Sequence, residues 1–123
     1  MTTLQSEKEQ SIQHAILDYL ALMRIVAWKN SNVGIYNKKT RSFIPSHTRG
    51  VSDILGILPT GRFLAIEVKR PKQKPTEEQQ LFLDTINENG GLAFVAHSID
   101  DVEDNLPLDT NFKDSIYSHK KGN

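Results

Sequence analysis

The architecture of this chain turns on Asp53-Ile54-Leu55-Gly56-Ile57-Leu58-Pro59-Thr60-Gly61-Arg62-Phe63-Leu64-Ala65-Ile66-Glu67-Val68-Lys69. Two aliphatic runs, 53–58 and 62–69, flank Pro59-Thr60-Gly61, a three-residue turn with glycine placed for a left-handed conformation, so the segment reads as a β-hairpin. With Thr60 at the turn and Leu58 opposite Arg62, Asp53 comes to face Glu67 across the ladder. Side chains alternate along a strand, so Lys69 emerges on the same face as Glu67, about 7 Å further on. Leu64, Ile66 and Val68 share the other face with Ile54 and Leu58, while Leu55, Ile57, Phe63 and Ala65 are expected to fill the space below the carboxylates. Apolar residues on both faces predict a central, covered hairpin.

Opposed residues of an antiparallel pair have Cβ atoms about 4.5 to 5.5 Å apart, where like charges destabilise. Two carboxylates at the end of a covered sheet are costly unless protonated or bound to a cation. A hard divalent ion resolves that conflict: Mg²⁺ takes oxygen ligands, commonly one or two carboxylates plus waters and a substrate phosphate. Lys69 beside such a centre can orient a water, help deprotonate it or stabilise developing charge, which suits hydrolysis of a phosphodiester. The bland alternative is a cross-strand salt-bridge cluster of Asp53, Glu67 and Lys69 with no chemistry.

Outward from the hairpin, Ile12, Ile16, Tyr19 or Leu20, and Met23 recur at helical spacing and predict a helix over 6–23, begun by a Ser6/Glu9 capping box. A short strand over 25–29 follows, then a polar-tipped hairpin with arms at 33–36 and 42–44 and with Lys38, Lys39 and Arg41 at its tip. Beyond the proline-bounded connector 71–75, Thr76 and Gln79 form a capping box for a helix that ends near Gly90 and Gly91. Residues 92–96 read as a strand and 98–106 as a helix capped by Ser98, with Asp100 and Asp101 in its first turn. The predicted order is α-β-β-β-β-β-α-β-α, a single α/β domain over 1–107 with a polar tail over 108–123 on which Phe112, Ile116 and Tyr117 are the docking candidates.

The 123 residues suit one domain, and 37% hydrophobic with 24% charged content suits a globular one. The absence of cysteine excludes disulfides and thiol chemistry, and the four histidines, His14, His47, His97 and His119, lack the close spacing of a zinc site. No apolar leader or membrane-length segment is present, so a soluble, cytoplasmic protein with no membrane partner is expected. Net charge is zero, yet residues 19–74 hold eleven basic residues against Asp53 and Glu67, leaving +9 there and −9 elsewhere. That asymmetry predicts a basic face for a polyanion, against the alternative of a mixed solvated surface.

The runs Gly50-Val51-Ser52-Asp53-Ile54-Leu55-Gly56, Gly61 through Pro71 and Lys74-Pro75-Thr76-Glu77-Glu78-Gln79 resemble the VRR-NUC (virus-type replication-repair nuclease) family of the PD-(D/E)XK superfamily. The resemblance covers about residues 9–102, with Ser52 standing where the superfamily's Pro-Asp pair has proline. It implies a restriction-endonuclease-like α/β core, a mixed central sheet flanked by helices. By that resemblance Asp53 and Glu67 are ligands of Mg²⁺ or Mn²⁺, the Val68 carbonyl completes the set, and Lys69 is the catalytic lysine. Glu9 matches the family's first-helix glutamate and Gln79 the glutamine opening the helix after the nuclease strands; their bland readings are a solvated glutamate and the partner of Thr76.

For nucleic-acid contacts the candidates are Lys38, Lys39, Arg41, Arg49, Arg70, Lys72 and Lys74, with solvated loops as the alternative. Asn30 reads rather as a turn cap, and His47 and His14 as exposed or structural. The resemblance further implies structure-selective cleavage of DNA, as in Holliday-junction resolvases that act as homodimers, in a bacterial cell or phage-infected host. One centre cuts one strand, so paired cuts call for two subunits, with Ile35, Tyr36, Phe43 and Ile44 as interface candidates. Competing expectations are a restriction-type or nicking nuclease on linear duplex, a catalytically silent DNA-binding module, and an interaction protein in which the acidic pair is only a salt bridge.

Overall fold

The computed structural model describes residues 3–31, 35–37, 42–44 and 49–107. Its elements are α1 (Thr3–Leu22), β1 (Val26–Lys29), β2 (Ile35–Asn37), β3 (Ser42–Ile44), β4 (Ile54–Ile57), β5 (Phe63–Val68), α2 (Glu77–Glu88), β6 (Leu92–Ala96) and α3 (Ile99–Asn105), the order read from the sequence. A four-stranded sheet runs β1-β4-β5-β6, and β2 pairs with β3 in a separate two-stranded ribbon. The pairs β1–β4 and β4–β5 are antiparallel and β5–β6 is parallel. The parallel step needs a crossover, which α2 supplies. The tail over 108–123, with Phe112, Ile116 and Tyr117, lies outside the described residues.

Helices cover both faces. Ile16 and Leu20 of α1 and Val102 of α3 pack with Ile54, Leu64, Ile66, Val68, Phe94 and Ala96 on one side. Leu83 of α2, with Phe82 and Ile86, packs on Ala65, Ala93, Leu55 and Val95 on the other. Each fully buried Leu, Ile or Val contributes about 1.5 to 3 kcal/mol, so the α1/α3 layer carries most of the apolar stabilisation.

The second face is covered only in part, a correction to the expectation that Ile57 and Phe63 fill it. They are 46% and 37% exposed, and Val26 and Trp28 on the same face of β1 are exposed too. The single helix α2 lies over β5 and β6 and leaves the turn end and the β1 side open.

α1 begins at Thr3, so Ser6 lies inside it rather than capping it. Leu4, Gln5, Glu7 and Lys8 are good helix formers with no breaker before them, and propensity carries the helix past the expected cap. Its other end is a Schellman motif built without glycine. The Ile25 amide donates to the Leu20 carbonyl at 2.9 Å and the Arg24 amide to the Ala21 carbonyl at 3.0 Å, with Arg24 at φ 60°. Leu20 and Ile25 supply the accompanying apolar contact. α2 ends in the same motif with Gly90 at φ 91°, the Gly91 amide reaching the Ile86 carbonyl at 2.9 Å.

Arg62 donates from Nε to the Gly90 carbonyl and from Nη2 to the Gly91 carbonyl, both at 2.9 Å. A cation there complements the negative end of the helix. Arg24 and Arg62 therefore sit at the turn end of the sheet and do not belong to the basic face expected from residues 19–74. β6 is an edge strand, and its open backbone is closed by Asn87, which donates to the Ala93 carbonyl at 3.0 Å and accepts from the Ala93 amide at 2.9 Å.

Candidate active site at the open end of the sheet

The β4–β5 register runs Ile54↔Ile66, Leu55↔Ala65, Gly56↔Leu64, Ile57↔Phe63, as the placement of the turn at Thr60 predicts. One step beyond the last pair, Asp53 stands opposite Glu67, and β6 adds Val95 beside Glu67. β4 starts at Ile54, so the ladder has stopped where the Val68 amide needs an acceptor. The Asp53 carboxylate supplies it, with Oδ2 2.9 Å from the Val68 nitrogen. That bond fixes the Asp53 side chain against the end of β5. Since a residue's N–H and C=O leave the same edge of a strand, the Val68 carbonyl is directed to that edge as well. From the other side the Asn30 amide donates to the Asp53 carbonyl at 2.7 Å, extending the β1–β4 pairing by one residue. The Asn30 backbone thus helps to hold that of Asp53 in place.

Glu67 is 1% exposed. Burial, and then the facing Asp53 carboxylate, push its pKa from 4.5 up to about 8, against the pull of Lys69. Lys69 Nζ lies 3.7 Å from Oε2, too long for a strong bond, and Oε1 is buried with no hydrogen-bond partner among the described residues. A structural salt bridge satisfies its carboxylate; this one leaves an oxygen unpaired on a carboxyl that burial and Asp53 push toward the neutral form. Asp53, Glu67 and the Val68 carbonyl form an all-oxygen set that suits a Mg²⁺ or Mn²⁺ ion retaining several waters. Among the described residues no three His, Asp or Glu side chains converge as a metal group, so water and substrate would complete the shell.

The other candidates fall around this pair. Gln79 is the third residue of α2, where its Oε1 accepts from the Thr76 amide at 2.9 Å and its own amide donates to Thr76 Oγ1 at 3.2 Å. Its capping role is real, and the side-chain NH₂ is left for other work. α2 is set against the strand leading to Asp53 by Gly50. At φ 77°, a Cβ on Gly50 would lie 2.5 Å from the Glu78 carbonyl oxygen and 3.1 Å from the Gln79 nitrogen. Sequence reading quoted Gly50 without a role; a contact between residues so far apart leaves no local signal.

Arg49 is exposed beside the same helix, in a groove with Glu78, Leu81, Phe82 and Thr85. Lys72 and Lys74 are exposed on the connector, whereas Arg70 is half-buried and its Nε has no partner among the described residues. Glu9 is half-buried on α1, toward the end of the sheet that carries the acids, but does not join them in a three-residue ligating group. The buried polar residue of that helix is Gln13, four residues on. Lys38, Lys39, Arg41 and His47 lie outside the described residues, as do the side chains of Ile35, Tyr36, Phe43 and Ile44.

The family model of the VRR-NUC domain matches residues 6–100, most of the chain, from α1 through β6. This chain belongs to the VRR-NUC family. A solved structure described as a VRR_NUC domain is similar at 26% identity and a TM-score of 0.57, over 79% of this chain and 91% of that one. No curated protein matches. Membership implies a nuclease of the PD-(D/E)XK type, and hence DNA as substrate. Among the described residues no helix is long and apolar enough to cross a membrane.

Proposed function

We propose that the chain is a Mg²⁺- or Mn²⁺-dependent endonuclease that hydrolyses phosphodiester bonds in branched DNA, with the four-way junction as its preferred substrate and a homodimer as its working form. The buried, unpartnered Glu67 oxygen facing Asp53 carries the metal dependence, because a divalent cation offsets at once the burial and the like charge that keep a proton there. Asp53, Glu67 and the Val68 carbonyl would hold the ion. When bound, it supplies a lowered pKa for a coordinated water and neutralisation of charge on the phosphate.

The protein's own residues do the rest. Val68 anchors the Asp53 carboxylate, so the acid meets its partner without reorganising. Lys69, on the Glu67 face of the strand and 14% exposed, orients the attacking water and stabilises negative charge on the phosphorane-like transition state. Gln79, placed by its cap and by the close approach of Gly50, lends an amide donor at the rim of the site. Lys72, Lys74 and Arg49 flank it with cations for the phosphate backbone.

For branch selectivity, the spacing of two centres in a symmetric dimer is the natural ruler for paired cuts. The test is incubation of the purified protein with labelled four-way junction and linear duplex, with Mg²⁺, Mn²⁺ or chelator, alongside its mass in solution. Paired metal-dependent cuts in the junction by a dimer are expected. Equal cutting of plain duplex would favour a restriction-type or nicking enzyme, and binding without cutting a silent module.

A further inference from the structure

The turn that follows Lys69 is held from outside the acidic pair. The Arg70 amide donates to Gln73 Oε1 at 3.2 Å and the Gln73 amide to the Arg70 carbonyl at 3.0 Å. Between them Lys72 is left-handed at φ 71°, a strained conformation for a non-glycine residue. His97, just past β6, reaches this turn: its Nε2 lies 3.1 Å from the Gln73 carbonyl oxygen. Its Nδ1 lies 3.2 Å from Asp101 Oδ2, and its backbone amide donates to that same oxygen at 2.7 Å. Both ring contacts end on acceptors. A neutral imidazole has one N–H, so it satisfies one of them and turns a lone pair toward the other. Only the imidazolium makes both.

We propose that His97, in its protonated form, is a positioning residue that clamps the Arg70–Lys74 turn to α3 and so fixes where Lys72 and Lys74 meet DNA. The clamp rests on hydrogen-bond geometry, and its consequence for DNA rests on the nuclease reading. Asp101 and Asp100 on α3 favour the charged ring. Arg70, Lys72 and Lys74 on the turn oppose it, as does Lys69 on the strand beside it, whose amide donates to the Ala96 carbonyl. α1 brings Ser11, Ile12 and Ala15 to the cavity of about 400 Å³ beside the ring, with Lys8 and Asp18 one turn to either side. The ring is 35% exposed, open to exchange of its proton with solvent. A ring that has lost its proton leaves one of the two contacts unmade, so the clamp loosens as pH rises.

The turn carries its own reporter. Arg70 and Lys74 precede Pro71 and Pro75 and resist trypsin, which leaves Lys72–Gln73 as the cleavable bond. His97→Ala is expected to be cut there about tenfold faster than the wild type at about pH 6, the ratio falling to within about twofold at about pH 8.5. His97→Gln donates an amide to the Gln73 carbonyl without titrating, so it should give intermediate protection whose ratio to His97→Ala is flat with pH. On junction DNA the wild-type KM should rise about five- to tenfold over that range relative to His97→Gln, with the kcat ratio unchanged. Should His97→Ala fail to fold, wild type against His97→Gln decides. Cutting ratios that stay constant with pH overturn the protonated clamp. A pH-dependent ratio in a protein that cuts no DNA supports the clamp and removes the nuclease reading instead.

Discussion

Replacing Glu67 by glutamine should stabilise the metal-free protein, and by an amount that grows with pH. The acid is 1% exposed and titrates in the folded state at about 8 against an ordinary 4.5, with burial the first cause and Asp53 the second. A carboxyl with a raised folded pKa favours the folded state fully below the unfolded value, and that contribution is lost as pH rises toward the folded one. Each unit of difference is worth about 1.4 kcal/mol. Between about pH 5 and pH 9 the wild type should therefore lose roughly 2 to 4 kcal/mol relative to Glu67→Gln, the pull of Lys69 being already contained in the shift. Against a typical stability of about 5 to 15 kcal/mol that is a large signal. Urea unfolding of both proteins in chelator at three pH values measures it. Saturating Mg²⁺ near pH 8 should then restore the wild type and leave the variant nearly unmoved, because the ion and the proton compete for one carboxylate. Parallel stability curves for the two proteins across that range would refute the reasoning, since they would mean that Glu67 is neither buried nor crowded in solution.

Asp53→Ala, Glu67→Ala and Lys69→Ala should each lower cleavage by about 10² or more while junction binding, read by gel shift, stays near the wild-type level. Gly50→Ala should move α2 away from the Asp53 strand, at a cost of about 1 to 3 kcal/mol in stability and with reduced cleavage even where the protein remains folded. Arg24→Gly should raise stability by about 0.5 to 1 kcal/mol, a gain of a few degrees in Tm, because the Schellman position at φ 60° is strained for arginine. Asn87→Ala should destabilise by about 1 to 3 kcal/mol by stripping two bonds from the Ala93 backbone, visible as faster amide exchange along β6.

The acidic pair was legible in the sequence because a tight turn fixes register, and register fixes who faces whom. Once Pro59-Thr60-Gly61 is placed, every pair from Ile57↔Phe63 to Ile54↔Ile66 follows, and Asp53 opposite Glu67 with them. The caps at Thr76 and Ser98 were legible for the same reason: their partners lie three residues away. What escaped was long-range. That Ile57 and Phe63 lack a cover depends on where one helix happens to lie, which alternation cannot report. Arg62 counted as a cation of a basic face until the end of α2 came to rest against it. Charge totals along a chain do not say which end of a sheet each residue occupies.

The same distinction separates what binds the ion from what tunes it. Side chains one strand apart bring the carboxylates together, and that much a sequence carries in its turn chemistry. The state of those carboxylates depends on groups brought in from elsewhere: the Val68 amide that holds Asp53, the Asn30 amide behind it, and the apolar layer that α2 lays on the face shared by Ala65 and Glu67. An acid pair on an exposed hairpin would ionise freely and bind a cation weakly, since water already solvates both charges. Here the strands end as the helices close over them, so the pair meets half inside the protein and half at its rim. Burial makes the empty site unfavourable at neutral pH, and the rim gives a phosphate access. Deepening the pocket should therefore strengthen the competition by protons, and opening it should weaken the hold on the ion.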